Sequence, residues 1–385
     1  MIVFVISETM FIVENVFGTI LLVNFVSRAQ PYLCHFLIQG SKVIKGIRAL
    51  ASHLDLSIST VSKALNGRFD INEETKKRVI EGALALGYVP NQSGRSLRQG
   101  ATRTVGFMIE ANQDGSTDSD NFFMSVFDGV QLVLAEHKLD LIVLPCPSNE
   151  DPVSYLKRMV TRGIVDAFII SSTRRRDPRV KLLGATKIPF VSLGCSNTVH
   201  PWVELDFEGV AFQSVDRLVK RGHRRIAVAL PTIKLNLGNL FLKGYKKGLA
   251  RHHIQFDQNL VIAIPSSEAG GSDLADQLVG LDQPPTAVLL SYELVAGGLY
   301  KRLYEIGKNP GRDIAVIGFR ESLQTKALVP HLTCFSAKLK DIGVALAETL
   351  LSQMSPFSDQ YSNRPKQKIW PMTLLEGDSD AMVLM

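Results

Sequence analysis

Between Ile47 and Leu86 the apolar positions recur at helical spacing. Ile47, Leu50, Ala51 and Leu54 share one face, Leu56-Ser57 interrupts the pattern, and Val61, Ala64 and Leu65 resume it, which predicts two short helices. A third helix is predicted from about Glu73 to Leu86, with Asn72 as its N-cap, Glu73 and Glu74 in the first turn, and Val79, Ile80, Ala83 and Leu84 turned inward. The Ser57 hydroxyl is placed to cap the second helix, and Asn66-Gly67, which tolerate left-handed backbone, to end it. After Thr104 the pattern changes to apolar runs that alternate with helical stretches: VGFMI, LDLIVL, VDAFII, IPFVSL, RIAVAL, LVIAI, TAVLL and IAVIGF. Parallel strands buried on both faces read as such continuous runs, so this part is expected to form βα units in doubly wound parallel sheets. Eight strands suit two lobes better than one, with a ligand cleft between them at the carboxyl ends of the strands.

Length and composition agree with this division. The chain has 385 residues with 45% hydrophobic and 21% charged content, enough for two or three globular units. Cys34, Cys146, Cys195 and Cys334 are far apart and form no CxxC pair. This argues against a zinc knuckle or disulfide framework and fits a reducing compartment. The net charge of +6 is local: residues 42 to 103 hold eleven Lys/Arg against five Asp/Glu, while residues 104 to 385 hold thirty-one against thirty. An excess confined to one small module is what a polyanion-binding surface needs, although a solvated basic face would give the same balance.

The first forty residues are apolar, yet the longest uncharged run before Arg28, from Asn15 to Ser27, is 13 residues. A spanning helix needs about 18, and no basic segment precedes the run as in a signal peptide. Residues 1–42 are therefore read as a dispensable extension or the product of a start placed upstream of the true one, with a membrane anchor as the other reading. No membrane association is expected.

The second predicted helix leaves Ile58, Ser59, Ser62 and Lys63 on an outer face. Short hydroxyl side chains and an ammonium let a helix approach the major groove and donate to phosphates and base edges; a generic surface helix is the plainer reading. The segment from Ile47 to Gly100 resembles the DNA-binding headpiece of the LacI/GalR family of bacterial regulators. That resemblance rests on Leu50, Ala51, Ser57, Thr60, Val61, Ser62, Lys63, Leu65, Asn66, Thr75, Lys76, Arg78, Val79, Gly87, Tyr88, Pro90, Asn91, Arg95 and Leu97 in register. Two positions depart from the family: Asp55, where glycine is common in the turn, and Gly94, which replaces a hinge alanine and should weaken a helix there by about 0.5–1 kcal/mol. The resemblance implies a helix-turn-helix headpiece over 43–88 and a hinge over 89–102 that folds on DNA, with Leu97 as a minor-groove wedge. It implies DNA contacts at Ser57, Ile58, Ser59, Thr60, Ser62, Lys63, Asn66, Tyr88, Asn91, Arg95 and Leu97.

Residues 103–385 resemble the same family's effector-binding and dimerisation domain, which is similar to periplasmic sugar-binding proteins. The stretches that carry this likeness are DNFFMSVFDGV, VDAFIISS, VELDFEGVAF, LVKRGHRRIAVA and PHLTCFSAKLKDIG. The implied lobes are 103–199 with 332–354, and 200–331 with 355–385. Phe122 and Phe123 stand where a wall could stack on a sugar ring, and equally where core aromatics would. Arg174 and Arg175 fall on the expected pocket rim, Asn239 replaces a family arginine, and Tyr292-Glu293 and Arg320 occupy positions where relatives often carry sugar-reading carboxylates and amides. Arg320 either binds an effector carboxylate or phosphate or pairs with Glu321 or Glu293 and leaves the ligand neutral. His223, after Gly222, is read as a structural cap.

No catalytic or phosphate-cradling motif occurs, so neither an enzyme nor a cofactor is expected. The sequence thus points to a cytoplasmic, homodimeric regulator: a small all-α helix-turn-helix headpiece on a two-lobed α/β, periplasmic-binding-protein-like effector domain. Its expected partners are palindromic operator DNA and a carbohydrate or sugar acid, and a carbohydrate operon its expected target for repression. A solute-binding protein of a transport system is the alternative.

Overall fold

Helices Ile47–His53, Ile58–Leu65 and Glu73–Ala85 form at the places the apolar spacing assigns them. The structure is a computed structural model that describes residues 10–15, 18–23, 46–65, 70–88, 101–111 and 120–382. The chain divides into two compact units, Met1–Arg95 and Ser96–Met385. In the first, strands β1 (Met10–Asn15) and β2 (Gly18–Val23) pair antiparallel. The helical core there consists of Leu50, Ala51, Leu54, Val61, Ala64, Val79, Ala83 and Tyr88. Among the described residues no helix is long and apolar enough to cross a membrane.

Local chemistry sets the helix boundaries. The Thr60 amide donates to Ser57 Oγ at 3.0 Å and the Glu74 amide to Asn72 Oδ1 at 2.8 Å, so both expected caps form. Asp55 adopts φ 51° in the turn, a left-handed geometry that Asp tolerates better than most residues. Arg78 donates to the Leu54 carbonyl at 2.7 Å and ties the third helix to the end of the first. One expectation fails: Ile80 and Leu84 are 42% and 69% exposed. They form the row next to Val79 and Ala83, and a core this small reaches only one row.

In the second unit all eight apolar runs become strands. They are β3 (Thr104–Glu110), β4 (Asp140–Cys146), β5 (Ala167–Ile170), β6 (Phe190–Leu193), β8 (Ile226–Pro231), β9 (Val261–Ile264), β10 (Ala287–Leu290) and β11 (Ala315–Ile317). Four short strands join them: β7 (Trp202–Leu205), β12 (Cys334–Ser336), β13 (Gln367–Trp370) and β14 (Thr373–Leu375). A six-stranded parallel sheet in the order β13-β7-β6-β5-β3-β4 builds one lobe, and a four-stranded parallel sheet, β11-β10-β8-β9, builds the other. The lobe boundaries expected at 200 and 355 therefore shift. Strands β7 and β13 lie in stretches assigned to the second lobe yet extend the first lobe's sheet, where Gln367 aligns with Trp202.

Helix Leu339–Leu351 packs on helix Asp120–Glu136 in the first lobe, and Phe207–Lys220 on Asn236–Arg251 in the second. The first pair approaches through Gly129 and Gly343. A Cβ on Gly129 would lie 1.9 Å from the Lys340 carbonyl oxygen, and one on Gly343 2.1 Å from that of Val126.

The last described segment returns to the second lobe and is buried there. Ser379 Oγ donates to the Val316 carbonyl at 2.6 Å and accepts from the Thr333 amide at 2.8 Å. The fully buried Asp380 carboxylate accepts from Thr333 Oγ1 at 2.7 Å and pairs with Arg217 and Arg221. His223 bonds Thr286 Oγ1 and the Ala381 carbonyl, both at 2.9 Å, and burial holds its pKa below the ordinary value. Its structural role matches the reading from sequence.

Candidate functional site

Two surfaces carry chemistry, one in each unit. In the headpiece the second helix buries Val61 and Ala64 and leaves Ser57, Ile58 and Ser59 exposed, with Thr60, Ser62 and Lys63 half-buried. The Ser57 and Thr60 hydroxyls lie 2.8 Å apart, so the cap already engages both. Lys63 Nζ is 2.6 Å from the Asp70 carboxylate, with both side chains about half exposed. An exposed pair of this kind is worth about 0.2–1 kcal/mol, small enough for a phosphate to replace Asp70. Tyr88 differs from expectation: Gly87, at φ 60°, turns the chain so that the Tyr88 ring closes the helical core instead of facing outward. Asn66, Asn91, Arg95 and Leu97, and with them the helix stop at Asn66-Gly67 and the Gly94 hinge, lie outside the described residues.

The second surface is the cleft between the two parallel sheets of the larger unit. Its walls are aromatic. Phe207 and Phe319 stack at 4.2 Å between centroids and 7° between planes, and Phe122 stands edge-on to Phe123 at 5.2 Å. Polar groups arrive from the strand ends: Glu110 as the last residue of β3, Ser171 to Thr173 after β5, Glu204 on β7, Ser291 to Glu293 after β10, and Arg320 after β11.

Most of the charge in the cleft is internally matched. Arg320 pairs through Nη2 with Glu293, donates from Nη1 to the Glu321 carbonyl at 2.8 Å, and lies over the Phe122 ring at 5.1 Å. Of the two readings of Arg320, the geometry is that of the internal pair. Glu110 is gripped by Arg174 through two hydrogen bonds of 2.9 and 2.7 Å. The buried Arg179 places Nη1 2.5 Å from Glu110 Oε1, where angles unsuited to hydrogen bonding leave an electrostatic contact. Among the described residues Glu204 has no cationic partner; it accepts from the Cys195 amide at 2.8 Å. Burial pushes its carboxyl up to about 7, against the pull of hydrogen bonds from Cys195. Burial and the neighbouring Glu204 push the Cys195 thiol to about 12, so both groups enter neutral conditions largely protonated or poised to be.

The lobes also touch directly. The Asn236 amide donates to the Thr173 carbonyl at 2.9 Å and Asn236 Nδ2 to the Cys195 carbonyl at 3.0 Å. These bonds join the helix Asn236–Arg251 of one lobe to loops of the other.

Of the residues singled out from sequence, the fold brings Phe122, Phe123, Tyr292, Glu293 and Arg320 together in this cleft. Arg174 lines an adjoining outer chamber with Glu110, Ser172 and Leu235. Two positions are corrected. Arg175 is exposed and absent from the lining of both chambers, because the turn before helix Pro178–Gly184 points it outward. Asn239 is also exposed, its amide reaching only the Leu235 carbonyl at 3.5 Å; Asn236, one helical turn earlier, is the buried residue that bonds the other lobe through the Cys195 carbonyl. Glu110, Glu204, Phe207 and Phe319 were missed. An acid flanked by apolar residues, as Glu204 is in WVEL, was the signal available, since a charge inside a buried run demands a reason.

A family model described as periplasmic binding protein-like domain matches residues 215–379. The chain is similar to the HTH-type transcriptional regulator AglR of Rhizobium meliloti (strain 1021), 29% identical over 335 residues that cover 86% of this chain and 92% of that protein. It is 26% identical to catabolite control protein A of Priestia megaterium over 80% of this chain and 91% of that one. Its fold is that of the lac repressor dimer bound to operator and the anti-inducer ONPF, with a TM-score of 0.75 at 19% identity over 88% of this chain and 99% of that one.

Proposed function

The chain belongs to the LacI/GalR family of bacterial transcription regulators, and on that premise we propose that it is a sequence-specific repressor of a carbohydrate uptake or catabolism operon, controlled by a neutral saccharide. The observation that carries the ligand class is the matched charge of the cleft. Arg320 is held by Glu293 and Glu110 by two arginines, so an anionic effector would have to break an existing pair. Stacked phenylalanines offer flat apolar faces, and hydroxyls and carboxylates offer hydrogen bonds, which together suit a polyol ring. A solute-binding protein would have no use for the helical headpiece, and the solute-transport alternative is set aside.

Two headpieces on a two-fold dimer would read a palindromic operator, one recognition helix in each major groove. Ser59 and Ile58 are the residues assigned to base edges, and Ser57, Thr60, Ser62, Lys63 and Asn66 to backbone and flanking contacts. Asn91, Arg95 and Leu97 would form the hinge, with Leu97 wedged into the minor groove. The protein acts in the cytoplasm, without cofactor and without catalysis.

Gel retardation with genomic fragments tests the first half. A sequence-preferring complex that weakens steeply with salt is expected; equal retardation of every fragment would sink the operator reading. Thermal-shift screening of neutral sugars against sugar acids and sugar phosphates tests the second half, since a bound ligand raises the melting temperature by mass action. The neutral members should produce the shift.

A further inference from the structure

The cleft does not end at its aromatic walls. The outer chamber adjoins it, and Glu110, Ser172 and Leu235 line both. We propose that the effector is a saccharide of at least two rings, the first seated in the inner chamber and the second in the outer, with Glu110 at the glycosidic junction. This rests on the neutral-saccharide reading of the cleft and extends it.

The two chambers differ in kind. Phe122, Phe207 and Phe319 face the inner one, so a ring there is held by stacking on its apolar face. Among the described residues no aromatic side chain lines the outer chamber; Pro147, Pro152 and Ile233 give it aliphatic surface, and Arg174 gives it guanidinium donors. A ring there would be held loosely by its edge and hydroxyls, as a second, less specific unit would be.

The junction is rigid. The hydrogen bonds and charge contact from Arg174 and Arg179 immobilise the Glu110 carboxylate, which leaves its remaining acceptor capacity fixed at the passage between chambers. Beside it, Ser172 holds φ 55°, a left-handed conformation that non-glycine residues adopt mainly where function or packing imposes it. Both features lie at the boundary, where they can read the link between two rings rather than either ring alone.

The test is calorimetric titration of the full chain with glucose, galactose and their methyl glycosides, and in parallel with maltose, cellobiose, melibiose and lactose. At least one disaccharide should bind tenfold or more tightly than each of its component monosaccharides. In Ile233→Trp, which fills the outer chamber from one lobe, and Ala111→Trp, which fills it from the other, that preference should fall to nearly one. Each variant's far-ultraviolet circular dichroism confirms that it is folded. Monosaccharides that bind as tightly as every disaccharide, or variants that keep the tenfold preference, would overturn the two-ring proposal and leave the saccharide reading standing. A folded chain that retards DNA but binds none of these probes would overturn the saccharide reading itself.

Discussion

The headpiece and the sensing unit place function on opposite kinds of structure. In the headpiece every described candidate for DNA contact but Tyr88 lies between Ser57 and Lys63 on one short helix, so local spacing alone decides which side chains face outward. In the cleft, the polar groups come from the ends of β3, β5, β7, β10 and β11, and its ion pairs join residues far apart in sequence, Arg320 with Glu293 and Arg174 with Glu110. A surface of the first kind is set by helical periodicity, whereas one of the second kind needs two closed sheets before it exists.

Substitutions can break that contrast, starting with the largest effect. Leu50 is fully buried in a headpiece core of eight buried residues among those described. Leu50→Ala should cost about 2–5 kcal/mol, which is most of what so small a unit can hold. Gel retardation should disappear while the sugar-induced thermal shift survives. A loss of both would mean the units do not fold independently.

Asp380→Ala comes next, and it acts on the other unit. It leaves the Arg217 and Arg221 guanidiniums facing a buried, empty position, a defect worth about 3 kcal/mol, reduced where these arginines reach solvent. A melting temperature for the sensing unit within a degree of the wild type would show that the buried pair contributes nothing net.

Glu204 gives the comparison a pH axis. Its pKa rises from 4.5 to about 7 on folding, so between those values the folded chain binds the extra proton. Its contribution is therefore full below pH ~4.5 and is lost as pH climbs toward 7, a change of a few kcal/mol at most. Melting curves from pH 5 to pH 8 should slope downward in the wild type and flatten in Glu204→Gln. The headpiece, with no such group among its described residues, should show no matching slope. Identical pH slopes in wild type and variant would remove Glu204 from the account.

The smallest effects belong to the DNA face. Lys63→Ala should reduce the salt dependence of binding by about one phosphate equivalent and weaken all sequences alike. A Ser59 substitution should instead shift which base is preferred, by about 1–3 kcal/mol at one position. Uniform weakening by Ser59 variants, measured on a panel of single-base operator changes, would reassign that hydroxyl to the backbone.

The same contrast explains what could be read in advance. The eight predicted strands were visible as unbroken apolar runs, most of them because both faces are covered. Gln367–Trp370 was not, since it is an edge strand with alternating exposure, and Cys334–Ser336 and Thr373–Leu375 have only three residues each. Phe122 and Arg320 were found through motif position, yet nothing local decided between Glu321, next to Arg320, and Glu293, 27 residues away. Arg175 and Asn239 stood next to the right places, and one turn of backbone separated them from the cleft. Helical periodicity likewise marked Ile80 and Leu84 as apolar without saying that the core was too small to reach them.

The buried Ser379-Asp380 segment has a consequence for the order of events during synthesis. Every strand of the second lobe's sheet has been made by Ile317, yet the polar groups of Val316, Thr333, Arg217 and Arg221 have no partners from Ser379 and Asp380 until the chain has grown past residue 380. A ribosome that stalls in the preceding sixty residues leaves a sheet with all its strands, but with Val316 and Thr333 short of hydrogen bonds and Arg217 and Arg221 short of a counter-charge. The sensing unit therefore gains these partners only once residue 380 has been made, so a product terminated before it would carry a finished headpiece on an unfinished sensor.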